Sequence, residues 1–284
     1  MTPSSPARGR LEVLAAGLRW SLGGVVIKSI AAPAAVIAAT RSLFAALVFF
    51  PFVRRRPAAS VAVTLASTLA YTGVVGLFVW STKMTTAANA IILQYTAPAW
   101  VFLIAWLSRG ERPERRDLVT LAGGLIGITV IYLGSAAGDL PGISLAVLSG
   151  ILFAAWMVLT HSARDLDPAA MTFVNNLGAV ALLLPIALLG GGGWPTPMQA
   201  LALAVMGTVQ LGIPYLLFSR GVRSLRSQEA SLIVLVEPVL NPLWVALVAG
   251  ERPAPATFAG GVIILLTLAL RYVVPLVRAA PAST

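Results

Sequence analysis

Apolar residues run through this chain in ten long blocks, at about 11–31, 34–53, 60–82, 86–107, 117–134, 143–162, 169–189, 198–219, 229–249 and 256–275. Each is close to the roughly 20 residues that a helix needs to cross the hydrocarbon core of a bilayer. The runs are continuous and lack the in–out alternation of barrel strands. In lipid a helix satisfies its backbone polar groups within one segment. The pattern therefore predicts an all-α integral membrane protein with ten transmembrane helices. Polar punctuation supports the cuts. Asp167-Pro168 and Thr196-Pro197 each place an N-cap residue before a proline at the first helical position. Gly190 to Gly193 before Trp194-Pro195, and Gly138-Asp139-Leu140-Pro141-Gly142, mark loops.

The pattern repeats. Residues 90–113 (AIILQYTAPAWVFLIAWLSRGERP) and 230–253 (ASLIVLVEPVLNPLWVALVAGERP) align without a gap. Ala90 matches Ala230, Pro98 matches Pro238, and Gly-Glu-Arg-Pro recurs at 110–113 and 250–253. Lys83 and Arg223 pair at the same offset, and Trp20/Trp156, Pro51/Pro185 and the Gly-Gly pairs at 123–124 and 260–261 are weaker echoes. The chain thus divides into two five-helix repeats, 1–137 and 138–284, within one membrane domain. Five is odd, so the halves enter the bilayer in opposite senses. Inverted-topology repeats are the architecture of alternating-access carriers.

Composition changes the picture in three ways. The 284 residues are 58% hydrophobic and 11% charged, with a mean hydropathy of +0.89. A soluble fold of this size cannot hide so much apolar surface, and disorder is excluded on the same ground. The net charge of +10 does not signal nucleic acid, because the arginines lie between apolar runs as positive-inside anchors do. With the N-terminus inside, sixteen basic residues fall in the cytoplasm: Arg8, Arg10, Arg19, Arg54, Arg55, Arg56, Arg109, Arg112, Arg115, Arg116, Arg164, Arg220, Arg223, Arg226, Arg271 and Arg278. Lys28, Lys83 and Arg252 fall outside, and Arg41 lies within a span. Both termini are expected in the cytoplasm. Arg8 and Arg10 before an apolar run imitate a signal peptide, but Glu12, Arg19 and Lys28 interrupt it, so the segment reads as a retained first helix. With no cysteine and one histidine, no disulfide framework, iron–sulfur site or structural zinc site is expected.

Ionisable and helix-breaking residues within spans are the candidates for function. Glu237 precedes Pro238 and shares a helical face with Asn241 and Trp244. Its carboxylate is placed to receive an ammonium or to couple transport to protons; a structural pair with Arg41 is the alternative. Arg41 is placed to hold a carboxylate in bidentate fashion, or to lock two helices. Pro98 and Pro238 mark hinges in matching places, and each frees a carbonyl one turn earlier, at Gln94 and Val234. Pro214 and Pro242 do the same at Gln210 and Pro238. Trp20, Tyr71, Phe78, Tyr95, Trp156 and Tyr215 fall well inside spans, where rings give apolar and cation–π surface. Trp80, Trp106, Trp194 and Trp244 lie near helix ends and fit an interfacial belt. Gly123 and Gly127 permit close helix approach, for packing or for dimerisation. His161 stands at a helix end, as an interface residue or a proton relay.

The duplicated Pro-then-Gly-Glu-Arg-Pro pattern in ten helices resembles the drug/metabolite transporter superfamily, and within it the EamA-type carriers. Arg41 matches a position where such proteins often carry arginine. Gln94-Tyr95 before Pro98, with Trp156, is similar to aromatic amino-acid exporters of the YddG type; Ala97 departs from the tryptophan expected there. The resemblance implies a bacterial-type inner-membrane secondary transporter that exports small metabolites, neutral or aromatic amino acids first, by alternating access. A passive facilitator, or an exporter of drugs or other small metabolites, is the alternative. No catalytic, nucleotide or metal motif is visible. No cofactor is expected. The expected partners are a small-molecule substrate and membrane lipid, with proton coupling and oligomeric state left open.

Overall fold

Several of the apolar blocks fold as broken helices, and the breaks fall where the sequence carries charge, proline or glycine. The structure, a computed structural model, describes residues 5–53, 60–110, 112, 114–162, 167–191 and 193–278. The first block forms α1 (Pro6–Trp20) and α2 (Gly23–Ser29), parted at Ser21-Leu22. Then come α3 (Ala34–Phe49) and α4 (Val61–Met84). The fourth block is split into α5 (Ala87–Gln94) and α6 (Ala97–Arg109), followed by α7 (Arg115–Gly134). The second half runs α8 (Leu140–Ser162), α9 (Pro168–Leu189), α10 (Pro197–Val205) and α11 (Ile213–Gly221), with a π-helical stretch over Met206–Gly212 between the last two. It ends with α12 (Ser227–Val234), α13 (Val236–Ala249) and α14 (Pro255–Arg278). Among the described residues every regular element is helical.

Among the described residues nine segments are long and apolar enough to cross a membrane. The first of the ten expected blocks is not among them. Arg8, Arg10, Glu12, Arg19 and Lys28 lower its hydropathy, and the break leaves two short pieces. The predicted caps are present. Asp167 accepts the Ala169 N–H at 3.0 Å, and Thr196 forms a reciprocal capping box with Gln199. Gly110 (φ 69°) and Gly250 (φ 67°) end α6 and α13 in the left-handed conformation that favours glycine. They are the first residues of the two Gly-Glu-Arg-Pro runs.

Helix contacts recur with the halves exchanged. The first block packs on α11 and on α12–α13; α8, opening the second half, packs on α4 and on α5–α6. The pairs α3·α9 and α7·α14 each join equivalent helices. At the last pair a Cβ on Gly127 would lie 2.8 Å from the Gly260 oxygen, and one on Gly260 would lie 2.5 Å from the Gly127 oxygen. Gly123 likewise abuts Thr267. The glycine stripe is thus used inside the chain, between α7 and α14, and is not left free for a second copy. Buried Ile27, Ile37, Tyr71, Ile91 and Leu93 form the centre of the core, while Leu133, Leu189 and Leu247 point outward.

The two ends of the bundle differ. At one, Lys28 Nζ bonds Glu251 Oε2 at 2.7 Å and the Thr85 carbonyl at 2.7 Å. Glu251 Oε1 accepts the Ala87 N–H at 2.6 Å, and Lys83 Nζ donates to the Ile30 carbonyl. At the other, Arg10 pairs with Glu229 and Arg271 with Asp117. The predicted basic residues Arg54, Arg55, Arg56 and Arg164 lie outside the described residues, as do the side chains of Arg109, Arg278 and His161.

Candidate functional site

A cavity of ≈ 540 Å³ enters between α3, α9 and α11 and reaches the helix breaks at mid-bundle. Phe52, Pro168, Arg220 and Arg223 stand at its mouth, at the end that carries the Arg10–Glu229 pair. Gln94, Tyr95, Gln210 and Glu237 line its inner part. Eight of the ten predicted binding residues line it: Trp20, Arg41, Phe78, Gln94, Tyr95, Trp156, Tyr215 and Glu237. Pro98 lines it too, whereas Pro238 is buried in α13.

Two predicted residues fall elsewhere. Tyr71 is fully buried behind the wall, its hydroxyl donating to Asn176 Oδ1 at 3.0 Å. Asn241 is buried against Gly24, where an added Cβ would lie 2.4 Å from Oδ1. The shared face expected for Glu237, Asn241 and Trp244 is therefore divided. Glu237 points to the cavity, Asn241 to α2, and Trp244 Nε1 to Ser21 Oγ at 3.0 Å. Trp244 thus braces the α1–α2 break, and Trp80 packs against the core. Trp106 and Trp194 are exposed as expected for an interfacial belt.

The Tyr95 hydroxyl ties the two broken helices together. It donates to Glu237 Oε2 at 2.7 Å, with the Val234 carbonyl at 3.2 Å sharing the proton. The carbonyl expected to be open at Val234 therefore has a protein partner. Pro98 falls in the first turn of α6, where a missing N–H breaks no helical bond; the interruption at Tyr95-Thr96 precedes it. Gln94 Nε2 donates to Ser149 Oγ at 2.8 Å, which anchors α5 to α8. Gln210 Nε2 donates to the Trp20 carbonyl at 3.0 Å, across the α1–α2 break.

Arg41 forms no ion pair with Glu237 or with any other carboxylate among the described residues, so the structural-pair alternative is not what the side chains do. Its Nη2 reaches the Val75 carbonyl at 3.4 Å, and its guanidinium carbon lies 6.0 Å from the Phe78 ring centre. Trp20 packs edge-on against Tyr215 at 5.0 Å, and Trp156 lies 5.5 Å from Tyr71. The cavity offers aromatic walls, a carboxylate, a guanidinium and two amides. That suits a small amphipathic solute. No group of acidic or histidine side chains that could hold a metal occurs among the described residues.

Phe153, Phe218, Ser231 and Tyr272 line the cavity without having been singled out in the sequence; Gln210, read only for its freed carbonyl, and Arg220 and Arg223, read as positive-inside anchors, line it as well. Gln210 carried a signal: it is a lone amide in an apolar block, four residues before a proline, as Gln94 is.

Comparison with known proteins agrees with this architecture. The model of the EamA-like transporter family matches twice, over residues 7–133 and 140–273. An uncharacterized transporter of Archaeoglobus fulgidus is 34% identical over 67% of this chain and 69% of its own. An uncharacterized protein of Pseudomonas aeruginosa is 30% identical over 63% of this chain and 65% of its own, and the transporter YxxF of Bacillus subtilis 25% over 68% and 64%. These alignments span about two thirds of the relatives' length. A solved crystal structure with 19% identity superposes with a TM-score of 0.68, covering 95% of this chain and 99% of that one, and so shares the fold. The doubled family match, on a bundle whose helix contacts recur with the halves exchanged, shows that the chain belongs to the EamA-like transporter family.

Proposed function

We propose that this chain is a secondary transporter that exports small amphipathic solutes, neutral or aromatic amino acids first, by alternating access between two inverted five-helix halves. The observation that carries this is the cavity itself: it reaches mid-bundle from one end, while a charged network closes the other. The inverted arrangement is supported by the exchange of helix contacts between halves. It is supported too by the two Gly-Glu-Arg-Pro runs. Gly110, which opens the first, ends α6 just ahead of the helix that carries Asp117, whose partner is Arg271, and the second contributes Glu251 at the opposite end. The basic end carries Arg10, Arg116, Arg220, Arg223 and Arg226, and the positive-inside rule puts it in the cytoplasm. Both termini then lie inside, in a bacterial-type inner membrane, and the cavity faces the cytoplasm, where an exporter loads. Glu237 lines the cavity, and its link to Tyr95 joins the two helices that rocking would part.

The test is efflux from proteoliposomes preloaded with single radiolabelled amino acids, with and without a pH gradient. Efflux of neutral and aromatic amino acids is expected. Its increase with the gradient would add proton coupling, and equal rates would make the protein a facilitator. No movement of any amino acid overturns the substrate class.

A further inference from the structure

Among the described residues three buried nitrogen donors that line the cavity lack a partner: Trp20 Nε1, Arg41 Nε and Trp156 Nε1. Against them, among the same residues, stands one unpartnered cavity-lining acceptor, Gln210 Oε1. Arg41 is 4% exposed, and among the described residues its hydrogen bond is the long contact to Val75. A guanidinium taken out of water without a counter-charge is costly, and such groups are normally paired. No anion for it stands among the described residues. Arg41 shares the cavity with Trp20 of the first half and Trp156 of the second, and each of these indoles packs on a tyrosine ring, Tyr215 and Tyr71. Glu237 faces the same cavity but is engaged by Tyr95. At the mouth stand Arg220, Arg223 and Asp167, the last capping α9.

We propose, on the transport reading given above, that the cavity recognises its solute by a carboxylate held at Arg41, with an indole N–H as second donor, and that the solute's ammonium group is dispensable. The missing counter-charge arrives with the solute. The rings of Trp20, Phe78 and Trp156 seat its apolar body, and Arg220 and Arg223 draw an anion toward the mouth. A carboxylate fits better than a phosphate, because one guanidinium stands at depth among apolar walls.

The test is competition against tritiated L-tryptophan on the full-length protein in nanodiscs. Indole-3-propionate keeps the ring and carboxylate and lacks the ammonium; tryptamine keeps the ring and ammonium and lacks the carboxylate. Indole-3-propionate is expected to compete within about threefold of tryptophan, and tryptamine at least about tenfold more weakly, as for loss of a hydrogen bond to a charged group. Arg41→Lys should weaken both carboxylates about tenfold and leave tryptamine unchanged. Trp156→Phe, which keeps a ring and removes the N–H, should weaken the carboxylates about fivefold. Tryptamine competing as well as tryptophan, phenyl phosphate competing better than indole-3-propionate, or no binding of either carboxylate to folded protein each overturns the proposal. If proteoliposomes carry tryptophan but Arg41→Lys binds it normally, the subsite falls and the transport reading stands. If the carboxylates bind as expected and no amino acid is ever carried, the transport reading falls and the subsite stands.

Discussion

The two ends of this bundle are built from the same repeated segments and are held differently. At the closed end, charges bridge four chain segments. Lys28 at the end of α2 meets Glu251 before α14, Glu251 caps the start of α5 at Ala87, and Lys83 at the end of α4 reaches Ile30 before α3. The Lys28 and Glu251 side chains are 20% and 17% exposed, so the pair is largely desolvated and less screened than a surface bridge. At the open end the ion pairs tie neighbours at the rim. Arg10–Glu229 joins α1 to α12, Arg271–Asp117 joins α14 to α7, and the passage between α3, α9 and α11 stays clear. Closure is thus a matter of which segments the charges connect, not of how many charges there are. The Glu251 carboxylate is the centre of the closed end, because both its oxygens are used on different segments.

Removing that carboxylate should break the comparison most. Glu251→Ala leaves the Lys28 ammonium and the Ala87 N–H without their partner, and an orphaned polar group costs about 1–3 kcal/mol. A bias of that size shifts a two-state equilibrium by one to two orders of magnitude. The chain has no cysteine, so a single Ala34→Cys at the buried start of α3 reports on this end. Labelling by an impermeant maleimide from the Lys28 side is expected to rise about tenfold in Glu251→Ala. Unchanged labelling would show that the network does not hold this end shut. The double exchange Lys28→Glu/Glu251→Lys should restore the labelling only in part. It re-forms the attraction but puts a cation at the N-terminus of α5, where the helix dipole favours an anion.

Glu237→Gln acts between the ends. The amide keeps the size of the side chain and a partner for Tyr95, so the fold should hold. Transport driven by an imposed pH gradient should fall about tenfold, while counterflow without a gradient should change less than about threefold, the split expected when a carboxyl group carries the proton. Equal loss in both assays would assign Glu237 to solute binding alone. Lys83→Met is the milder cut at the closed end. It removes one charge-assisted bond to a carbonyl that other contacts also position, and labelling at Ala34→Cys should rise about threefold. A rise equal to that of Glu251→Ala would make Lys83 an equal member of the network.

How much of this was legible in the sequence depends on what fixes each feature. Block boundaries, the caps at Asp167 and Thr196 and the glycine ends at Gly110 and Gly250 rest on local chemistry, and they stand where the residues put them. The repeat is a sequence fact, and the contact exchange follows from it. Side-chain direction is another matter. A helix that is apolar all round has no polar face to orient it, so nothing in the spacing of Tyr71 or Asn241 says that they turn away from the cavity. Gln210 was legible as a freed carbonyl but not as a side chain in the cavity wall, because the π-helical stretch over Met206–Gly212 shifts the register from which its direction would be judged. Arg220 and Arg223 were absorbed into the positive-inside count, yet they also frame the mouth. The α1–α2 break depends on Trp244, Gln210 and Ser21 meeting from three distant blocks, a contact that no local pattern encodes.

The smallest effect should come from the open end. Arg10 Nε lies 2.5 Å from Glu229 Oε1, the shorter of the bridges that join distant segments when set beside Lys28–Glu251. Distance alone would rank it first. Exposure ranks it last, because the Arg10 side chain is 59% exposed, and water and salt screen such a pair to about 0–1 kcal/mol. Arg10 also bridges α1 to α12 at the rim, where neither helix has to part for solute to enter. Arg10→Ala should therefore change uptake into the cavity and labelling at Ala34→Cys by less than about twofold. It should lower the thermal midpoint in detergent by no more than a degree or two, with the difference vanishing in 1 M salt, where the Debye length falls to about 3 Å. A large, salt-insensitive loss would mean that the rim pair holds the open end in shape, and that the two ends are controlled alike.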